Sequence, residues 1–257
     1  MEKFTICSVY HNSASKKLVE INHEFVKKMN SGMDFTYILM DNRAPEEKDK
    51  MPDDGRFQII PGPNGGLEKM SIAHPGTLAA LFLHNTAINI GFSHIKTRFG
   101  LSLDSDFYIL QKDWICTVLE HMKKNKLTFF GVPWHPKDYT KFRYFPCHQC
   151  LFVDFERLAE AGYTPGDIDF TPTDGTLRKP LPKKFGQLSR VINMFNISER
   201  RGIGNDGHTA HRLFEKFYSN PKIKFEVIPA VYKPHIESYP ANNLFYGVNK
   251  IFEFFLP

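Results

Sequence analysis

The sequence lacks any long apolar segment. None of its apolar runs approaches the ~20 residues that a membrane-spanning helix needs, and Met1-Glu2-Lys3-Phe4 leads directly into a strand-like segment. We therefore expect neither a membrane span nor a signal peptide, and we expect a cytoplasmic protein. The aromatic, amphipathic tail at 243–255 leaves three alternatives open: packing on the domain, which we favour, dimer formation, or peripheral contact with a membrane.

Cysteine is scarce as well. The four cysteines are Cys7, Cys116, Cys147 and Cys150. So few in a chain of 257 residues do not indicate a disulfide framework. Cys147-His148-Gln149-Cys150 is spaced like half of a zinc site, but no second Cys or His pair of suitable spacing accompanies it. We therefore do not expect structural zinc, and His148 is left to face a ligand instead.

The chain also lacks a strong excess of one charge sign. Its 33 Lys and Arg stand against 28 Asp and Glu, which gives a net charge of +5 and a pI near 8.9. The basic residues are scattered rather than gathered in a stripe, so we do not expect a nucleic-acid-binding protein. A mild positive bias suits anionic partners, either phosphates or an anionic membrane surface.

Core-forming residues, in contrast, are plentiful. The chain has 24 Phe and is 42% hydrophobic, and its length allows one large α/β domain or two small ones. It contains no internal repeat, no low-complexity block and no convincing domain boundary. We therefore predict a single domain over 1–257, in which 1–132 and 133–257 form two functional halves.

Strand and helix signals alternate along the first half. The predicted strands are 4–10, 35–40, 57–61, 98–104 and 127–132. The predicted helices are 15–30, 76–94 and a third around 114–122. In the first helix the predicted apolar face consists of Leu18, Ile21, Phe25 and Met29. Continuous apolar strands that alternate with helices predict an α/β fold with a mainly parallel sheet covered on both faces.

The second half is less regular. We predict strands at 151–154 and 225–232, and a helix at 207–219. The apolar face of that helix comprises Ala210, Leu213, Phe214 and Phe217. Segment 162–184 is rich in Pro, Gly and Thr, and we predict a long loop there that covers a site.

Polar clusters follow three of the predicted strands. They are Tyr10-His11-Asn12, Asp41-Asn42 and Asp104-Ser105-Asp106. In an open α/β sheet, ligands bind at the carboxyl ends of the strands, so these clusters converge on one edge. Asp41 can accept hydrogen bonds from a nucleoside or simply form a turn, and spacing alone favours neither.

The triplet Asp104-Ser105-Asp106 is the strongest candidate for a metal site. Two carboxylates at the mouth of a buried strand offer the hard oxygen ligands that a divalent cation takes. A second pattern of the same spacing, Asp167-Ile168-Asp169, lies among Gly, Thr and Pro, and we interpret it as a solvated loop. The difference between the two patterns lies in their contexts.

The order of these motifs resembles the GT-A glycosyltransferases, specifically those similar to family 2. The resemblance rests on Tyr10-His11-Asn12, Asp41-Asn42, the helix at 85–91 and Leu103-Asp104-Ser105-Asp106. It extends to Asn205-Asp206-Gly207, which resembles the acidic motif at a helix start, and to Lys233-Pro234-His235, which resembles the terminal metal-binding His. The resemblance covers roughly residues 4–235. It implies a GT-A type Rossmann-like sheet sandwiched by helices, with donor binding in the first half and acceptor binding in the second.

The resemblance also implies roles for individual residues. Those expected to contact the nucleotide-diphosphate sugar donor are Tyr10, Asn12, Asp41, Asn89, Asp104 and Ser105. Those expected to hold Mn²⁺ or Mg²⁺ are Asp104, Asp106 and His235, with Asp106 the first choice for direct ligation. Asp206 is the expected catalytic base. Its family partner, an acid, is replaced by Asn205, so Asp206 is the one base candidate in this motif.

The chemistry of glycosyl transfer explains why carboxylates and a metal-binding histidine are expected at such a site. Cleavage of the anomeric bond leaves a diphosphate, whose developing charge a divalent cation stabilises. An inverting transfer needs a general base for the acceptor hydroxyl. The alternative roles are a helix N-cap for Asp206 and a surface histidine for His235. Trp134-His135 is placed either to stack on a sugar ring or to pack in the core.

Two other functions share this layout. The first is a sugar-phosphate nucleotidyltransferase, although no Gly-rich loop with Arg and Lys follows the first strand. The second is a non-catalytic module that binds nucleotide or carbohydrate. The sequence leaves open the donor sugar, the nucleotide base, the carbohydrate or lipid-linked glycan acceptor, the linkage and the oligomeric state.

Overall fold

The computed structural model describes residues 3–43, 50–63, 77–132, 145–171, 210–228, 230–231 and 253–254. Its strands are β1 (Phe4–Tyr10), β2 (Phe35–Asp41), β3 (Gln58–Pro61), β4 (Phe99–Leu103), β5 (Phe129–Gly131), β6 (Cys150–Asp154), β7 (Phe225–Val227), β8 (Ala230–Val231) and β9 (Glu253–Phe254). Seven of them form one sheet in the order β3-β2-β1-β4-β6-β5-β7, while β8 and β9 form a separate antiparallel pair.

The large sheet is mostly parallel. β1 pairs in parallel with β2 and with β4, β2 pairs in parallel with β3, and β5 pairs in parallel with β7. β6 is the exception, because it runs antiparallel between β4 and β5. The predicted α/β class with a mainly parallel sheet is confirmed.

Helices cover both faces of this sheet. They are α1 (Ser13–Met29), α2 (Thr77–Ser93), α3 (Trp114–Asn125), α4 (Phe155–Glu160) and α5 (His211–Phe217), and a 3-10 turn spans Pro165–Asp167. On one face the hydroxyl of Tyr37 donates to Asn22 of α1, and the ring of Phe4 meets Trp114 of α3 edge-on. On the other face Gly91 of α2 packs against Met40. Every residue of β1 is buried as a result.

Helix α2 lies close to β1 and β2 because Gly91 has no side chain. A Cβ atom at this position would lie 3.0 Å from Met40 Sδ and would overlap Cys7 Sγ. His84 is seven residues earlier, so two helical turns place it on the same face as Gly91. The close contact at Gly91 therefore holds His84 toward the sheet.

The buried face of α1 differs from the predicted one. Ile21 is 46% exposed, whereas Val19, Asn22, His23 and Val26 are buried. Asn22 is accommodated because its amide donates to the carbonyl of Phe107 at 2.8 Å and its oxygen accepts from a tyrosine hydroxyl. The apolar-stripe prediction was wrong for Ile21, whereas Leu18, Phe25 and Met29 are partly buried. It had no means of counting hydrogen-bonded polar side chains as core.

Antiparallel β6 has a direct consequence for the sheet edge. Leu103, the last residue of β4, is paired with Cys150, the first residue of β6. The turn that leads into β6 therefore lies beside the carboxyl end of β4. A parallel strand in the place of β6 would have put its amino end at the opposite edge.

Two predicted elements have narrower bounds in the part of the chain that the structure describes. The strand expected at 127–132 comprises Phe129–Gly131, and the helix expected at 207–219 is described over His211–Phe217. Its predicted apolar face is confirmed, since Ala210, Leu213 and Phe217 are buried and Phe214 is partly buried. None of the helices in the described ranges is both long and apolar enough to cross a bilayer.

Candidate functional site

The carboxyl ends of β1, β2 and β4 meet at one edge of the sheet. Tyr10 and Asp41 are direct partners in the parallel register of β1 and β2, and the backbone N–H of Asn42 donates to the carbonyl of Tyr10 at 2.8 Å. β4 lies parallel on the other side of β1 and ends one residue before Asp104. The predicted convergence of the three polar clusters is therefore present.

Three histidines gather beside the Asp104 carboxylate. Nε2 of His84 lies 3.7 Å from Oδ1 of Asp104, and one ligand atom each from His84, Asp104 and His148 lie within 4.8 Å of one another. Nε2 of His11 lies 3.0 Å from Nδ1 of His84, and the two rings stack. We call these four residues the histidine–Asp104 cluster.

Each member of the cluster comes from a different element. His11 follows β1, His84 lies on α2, Asp104 follows β4, and His148 lies in the turn before β6. The backbone ties two of these segments together, because the N–H of Asp104 donates to the carbonyl of Gln149 at 2.9 Å. The cluster is therefore built on a hydrogen-bonded frame.

Burial keeps the two most enclosed histidines neutral. Loss of solvent lowers the pKa of His148 to about 4, against the opposing attraction of Asp104. Burial and then the nearby charge of His84 lower the pKa of His11 to about 4. At neutral pH both rings therefore carry a lone pair that can accept a proton or a metal.

The Asp104 carboxylate keeps its charge in this enclosed position. Burial alone would raise its pKa, but the imidazoles of His84, His148 and His11 outweigh that effect, and the pKa is lower than usual. The cluster thus combines an ionised carboxylate with at least the two neutral imidazoles of His11 and His148. That combination is one that divalent cations bind, so the donor set fits the metal that the sequence predicts.

Asp41 has a partner within the chain. Its two carboxylate oxygens accept from Nε and Nη2 of Arg43 at 2.7 and 2.6 Å, and the guanidinium lies over the ring of Tyr10. The backbone N–H of Arg43 also donates to Asp41, which is the turn geometry left open from sequence. A nucleoside at this edge would therefore meet an Asp41–Arg43 pair, and donor contact by Tyr10 and Asp41 stays a prediction.

Two predicted amide residues make contacts within the protein. Asn12 caps α1 by accepting from the N–H of Ser15 at 3.0 Å. The Asn89 amide donates to Asp169 and accepts from the N–H of Phe170, both at 2.9 Å. Donor binding by either residue stays a prediction.

The rest of the Asp104 triplet lies in the following turn. The N–H of Phe107 donates to the carbonyl of Asp104 at 3.0 Å, which leaves Ser105 partly buried and Asp106 exposed. Asp106 is not one of the three residues whose ligand atoms lie within 4.8 Å of one another. Metal or donor contact by Asp106 and Ser105 stays a prediction, and Asp206 and His235 lie outside the described residues.

The second Asp-Xaa-Asp segment is paired with α5. Oδ1 of Asp167 accepts from Nζ of Lys216 at 2.7 Å, and Oδ2 of Asp169 accepts from Nη1 of Arg212 at 3.2 Å. Asp167 also closes the capping box of a 3-10 turn. The loop interpretation is refined, since these carboxylates neutralise cations rather than only face solvent.

Sequence reasoning missed most of the cluster's histidines. His148 was expected only to face a ligand, His11 was noted as part of a strand-end motif without a role, and His84 was not singled out. A signal for His84 was present, because His84-Asn85-Thr86 interrupts an otherwise apolar helix. Of the Cys-His-Gln-Cys motif, His148 joins the cluster, while Cys147 and Cys150 are buried and are not joined in a disulfide.

Comparison with known proteins gives matches in structure. No protein-family model matches the sequence, and the search of curated proteins finds no significant match. The mannosyltransferase PcManGT of Pyrobaculum calidifontis, solved with GDP-Man and Mn²⁺, is 13% identical over 65% of this chain and 48% of that one, with a TM-score of 0.42. S. aureus TarS is 14% identical over 65% of this chain and 50% of that one, with a TM-score of 0.43.

The galactosyltransferase LgtC, solved with donor and acceptor sugar analogues, is 11% identical over 58% of this chain and 57% of that one, with a TM-score of 0.41. This chain thus spans about half the length of these structures. The chain is similar to solved glycosyltransferases in the overall arrangement of strands and helices.

Proposed function

We propose that this protein is a metal-dependent glycosyltransferase that moves a sugar, with inversion, from a nucleotide-diphosphate donor to an acceptor hydroxyl. The observation that supports this best is the position of Asp104. It follows a buried parallel strand at the ligand-binding edge of an open α/β sheet, and it lies among imidazoles rather than cations. An ionised carboxylate in that setting attracts a cation and, through it, a diphosphate.

The donor set around Asp104 fits a divalent cation, and the family resemblance implies Mn²⁺ or Mg²⁺. Bound there, the cation would act as a Lewis acid that offsets the charge of the departing diphosphate. Asp104 would hold it, with Asp106 and His235 as the further ligands that the family resemblance implies. The mildly basic chain, with a net charge of +5, favours the approach of such an anionic donor.

The strand ends beside Asp104 would bind the rest of the donor. The Asp41–Arg43 pair lies at the end of β2, separated from β4 by β1, and its guanidinium covers the buried ring of Tyr10. A nucleoside that lies across β1 would bring its hydroxyls toward Asp41 and its diphosphate toward Asp104. Asn12, Asn89 and Ser105 complete the proposed set of donor-binding residues.

Asp206 is the proposed catalytic base. Its carboxylate would accept the proton of the acceptor hydroxyl as that oxygen attacks the anomeric carbon. The neighbouring position is Asn205, which carries no charge, so a single carboxylate would do this work. The proposed acceptor is a carbohydrate or a lipid-linked glycan, and in the second case the tail at 243–255 would contact the membrane.

Titration of nucleoside diphosphates with and without Mn²⁺ tests the donor assignment. We expect calorimetric binding that disappears with EDTA, followed by transfer or slow hydrolysis of a matching nucleotide sugar. Asp206→Ala should lower turnover by roughly 10²- to 10⁴-fold and leave nucleotide affinity unchanged. An enzyme that turns over at the wild-type rate without Asp206 would contradict this role.

The same assays separate the alternatives. A nucleotidyltransferase would release pyrophosphate from a nucleoside triphosphate and a sugar phosphate. A non-catalytic module would bind nucleotide and neither transfer nor hydrolyse the sugar. Either result would overturn the proposed function.

A further inference from the structure

Nitrogen ligands distinguish this cluster from a site made of carboxylates alone. His84 and His148 each offer a ring nitrogen, Asp104 offers an oxygen, and the three atoms lie within 4.8 Å of one another. Metal–ligand bonds of ~2.0–2.2 Å place neighbouring ligand atoms roughly 3 to 3.5 Å apart. The 3.7 Å between His84 Nε2 and Asp104 Oδ1 is therefore close to the separation that a shared ion requires.

We propose that His84, Asp104 and His148 together ligate a divalent transition cation, with Mn²⁺ or Zn²⁺ preferred to Mg²⁺ and Ca²⁺. Imidazole suits first-row transition metals, whereas Mg²⁺ and Ca²⁺ take oxygen ligands. Three protein ligands leave coordination positions open. The ion's contact with a donor diphosphate rests on the proposed function, whereas the site itself does not.

His11 is the residue that orients His84 within this site. When Nε2 of His84 faces the ion, its Nδ1 carries the proton and donates to Nε2 of His11, 3.0 Å away. The Nδ1 of His11 then carries a proton, and it lies 3.5 Å from the Asn42 side-chain amide. A metal ligand whose second ring nitrogen is hydrogen-bonded in this way is held in one tautomer and one orientation.

Asn42 supports this relay by its burial. The residue is 5% exposed, and among the described residues its Oδ1 has no hydrogen-bond partner. Exchange of the amide oxygen and nitrogen turns that oxygen toward His11 Nδ1, where it accepts the proton that the relay places there. Each contact in this chain then has one donor and one acceptor: His84 binds the metal and donates to His11, and His11 donates to Asn42.

Backbone hydrogen bonds and strand pairing form the frame around the cluster. The antiparallel register places Leu103 beside Cys150, and the N–H of Cys147 donates to the carbonyl of Val132 at 2.7 Å. These bonds fix the turn that carries His148 relative to the strand end that carries Asp104. Binding therefore requires small side-chain adjustments rather than a rearrangement of the backbone.

The test uses untagged, EDTA-treated protein without nucleotide. Calorimetry with Mn²⁺, Zn²⁺ and Mg²⁺ measures the affinities, and electron spin-echo envelope modulation of the Mn²⁺ form detects nitrogen ligands. We expect Mn²⁺ to bind at least tenfold more tightly than Mg²⁺, with nitrogen modulation from two imidazoles. His84→Gln and His148→Gln should each remove one nitrogen from the spectrum. Each should also weaken Mn²⁺ binding by at least roughly 10- to 100-fold, since loss of a residue that only hydrogen-bonds to a metal ligand already costs that much.

Two further variants serve as comparisons: one alters a histidine that only positions a ligand, and the other alters a histidine outside the site. His11→Phe should weaken Mn²⁺ binding roughly tenfold but keep both nitrogens in the spectrum, since it acts through His84. His121→Gln alters a histidine of α3 that pairs with Glu226 at 3.0 Å, and it should change nothing. Thermal unfolding confirms that each variant is folded, and the partly exposed His84 carries the test if His148→Gln does not fold.

Wild-type Mn²⁺ without nitrogen modulation, or modulation unchanged in both His84→Gln and His148→Gln, would overturn the site. Either result together with intact sugar transfer would leave the proposed function standing. Nitrogen-ligated Mn²⁺ in a protein that binds no nucleoside diphosphate would uphold the site and contradict the function. The two proposals can thus fail separately.

Discussion

Two segments of this chain have the same spacing of carboxylates and opposite surroundings. Asp104 lies beside His84 and His148 at the end of a buried strand. Asp167 and Asp169 lie near the 3-10 turn and are paired with a lysine and an arginine of α5. The first carboxylate lies among imidazoles, whereas the other two are paired with the cations of Lys216 and Arg212.

This difference shows what an Asp-Xaa-Asp pattern does and does not indicate. A carboxylate that already pairs with Lys or Arg has its charge compensated and its lone pairs occupied. A carboxylate among imidazoles can attract an added cation, and the imidazoles supply further ligands. The pattern therefore indicates a metal site only where the tertiary structure places no Lys or Arg beside the carboxylates and adds other metal-binding side chains.

The largest effect is expected from Asp104→Asn, which removes the charge but keeps the shape. Metal-dependent binding of a nucleoside diphosphate should weaken by at least about 100-fold, because loss of a residue that only hydrogen-bonds to a metal ligand already costs roughly 10- to 100-fold. Calorimetry with Mn²⁺ measures it. Asp167→Asn is the matched control and should bind as the wild type does. Equal losses in the two variants would contradict the comparison.

Asp169→Ala should destabilise the fold and leave Mn²⁺ binding unchanged. Asp169 accepts from the Asn89 amide, from the N–H and hydroxyl of Thr171, and from Arg212. Leaving these donors without their acceptor should lower the free energy of unfolding by about 1–3 kcal/mol. Urea denaturation measures the loss, and Asp169→Asn, which keeps one acceptor oxygen, should recover part of it. Weakened Mn²⁺ binding would indicate a metal at the second segment.

The Asp106→Asn variant tests how much Asp106 contributes to metal binding relative to Asp104. Asp106 is exposed and lies outside the group formed by His84, Asp104 and His148, so we expect it to contribute less than Asp104. Mn²⁺-dependent nucleotide affinity should fall about tenfold, which corresponds to about 1.4 kcal/mol. A loss as large as that of Asp104→Asn would show that Asp106 contributes as much to metal binding as Asp104 does, and would contradict the expected order.

The smallest effect concerns acid stability at Asp167. The Lys216 ammonium and then the Thr164 N–H and hydroxyl lower the pKa of Asp167 to about 2. Because this pKa lies below the unfolded value of about 3.9, the stabilisation is present above pH ~4 and is lost as the pH falls toward ~2. The partly exposed pair should contribute under about 1 kcal/mol. The difference in urea midpoint between wild type and Asp167→Asn should therefore shrink between pH 5 and pH 3.

Several features of the fold followed from local patterns. Continuous apolar strands such as Phe4–Tyr10 predicted a mainly parallel sheet, because only strands covered on both faces are apolar throughout. The polar residues after each strand predicted the edge where Tyr10, Asp41 and Asp104 meet. Parallel pairing makes that convergence a matter of geometry.

Other features depend on contacts between distant segments. The buried face of α1 includes Asn22, which no hydrophobic pattern selects, because its burial depends on a carbonyl 85 residues away. The antiparallel direction of β6 is likewise invisible in the five residues of that strand. It is this direction that puts His148 beside Asp104.

By itself, the sequence determined the α/β class, the strand ends and the presence of an acidic triplet after β4, since these depend on residues close together in the chain. The tertiary structure decided which acidic pattern keeps a free charge and which histidines join it. His11, His84 and His148 lie 73 and 64 positions apart along the chain, and only the close packing of α2 and the reversal of β6 bring them together. Sequence periodicity predicts only structure that depends on residues close together in the chain, whereas this site depends on residues that are close together only in the folded protein.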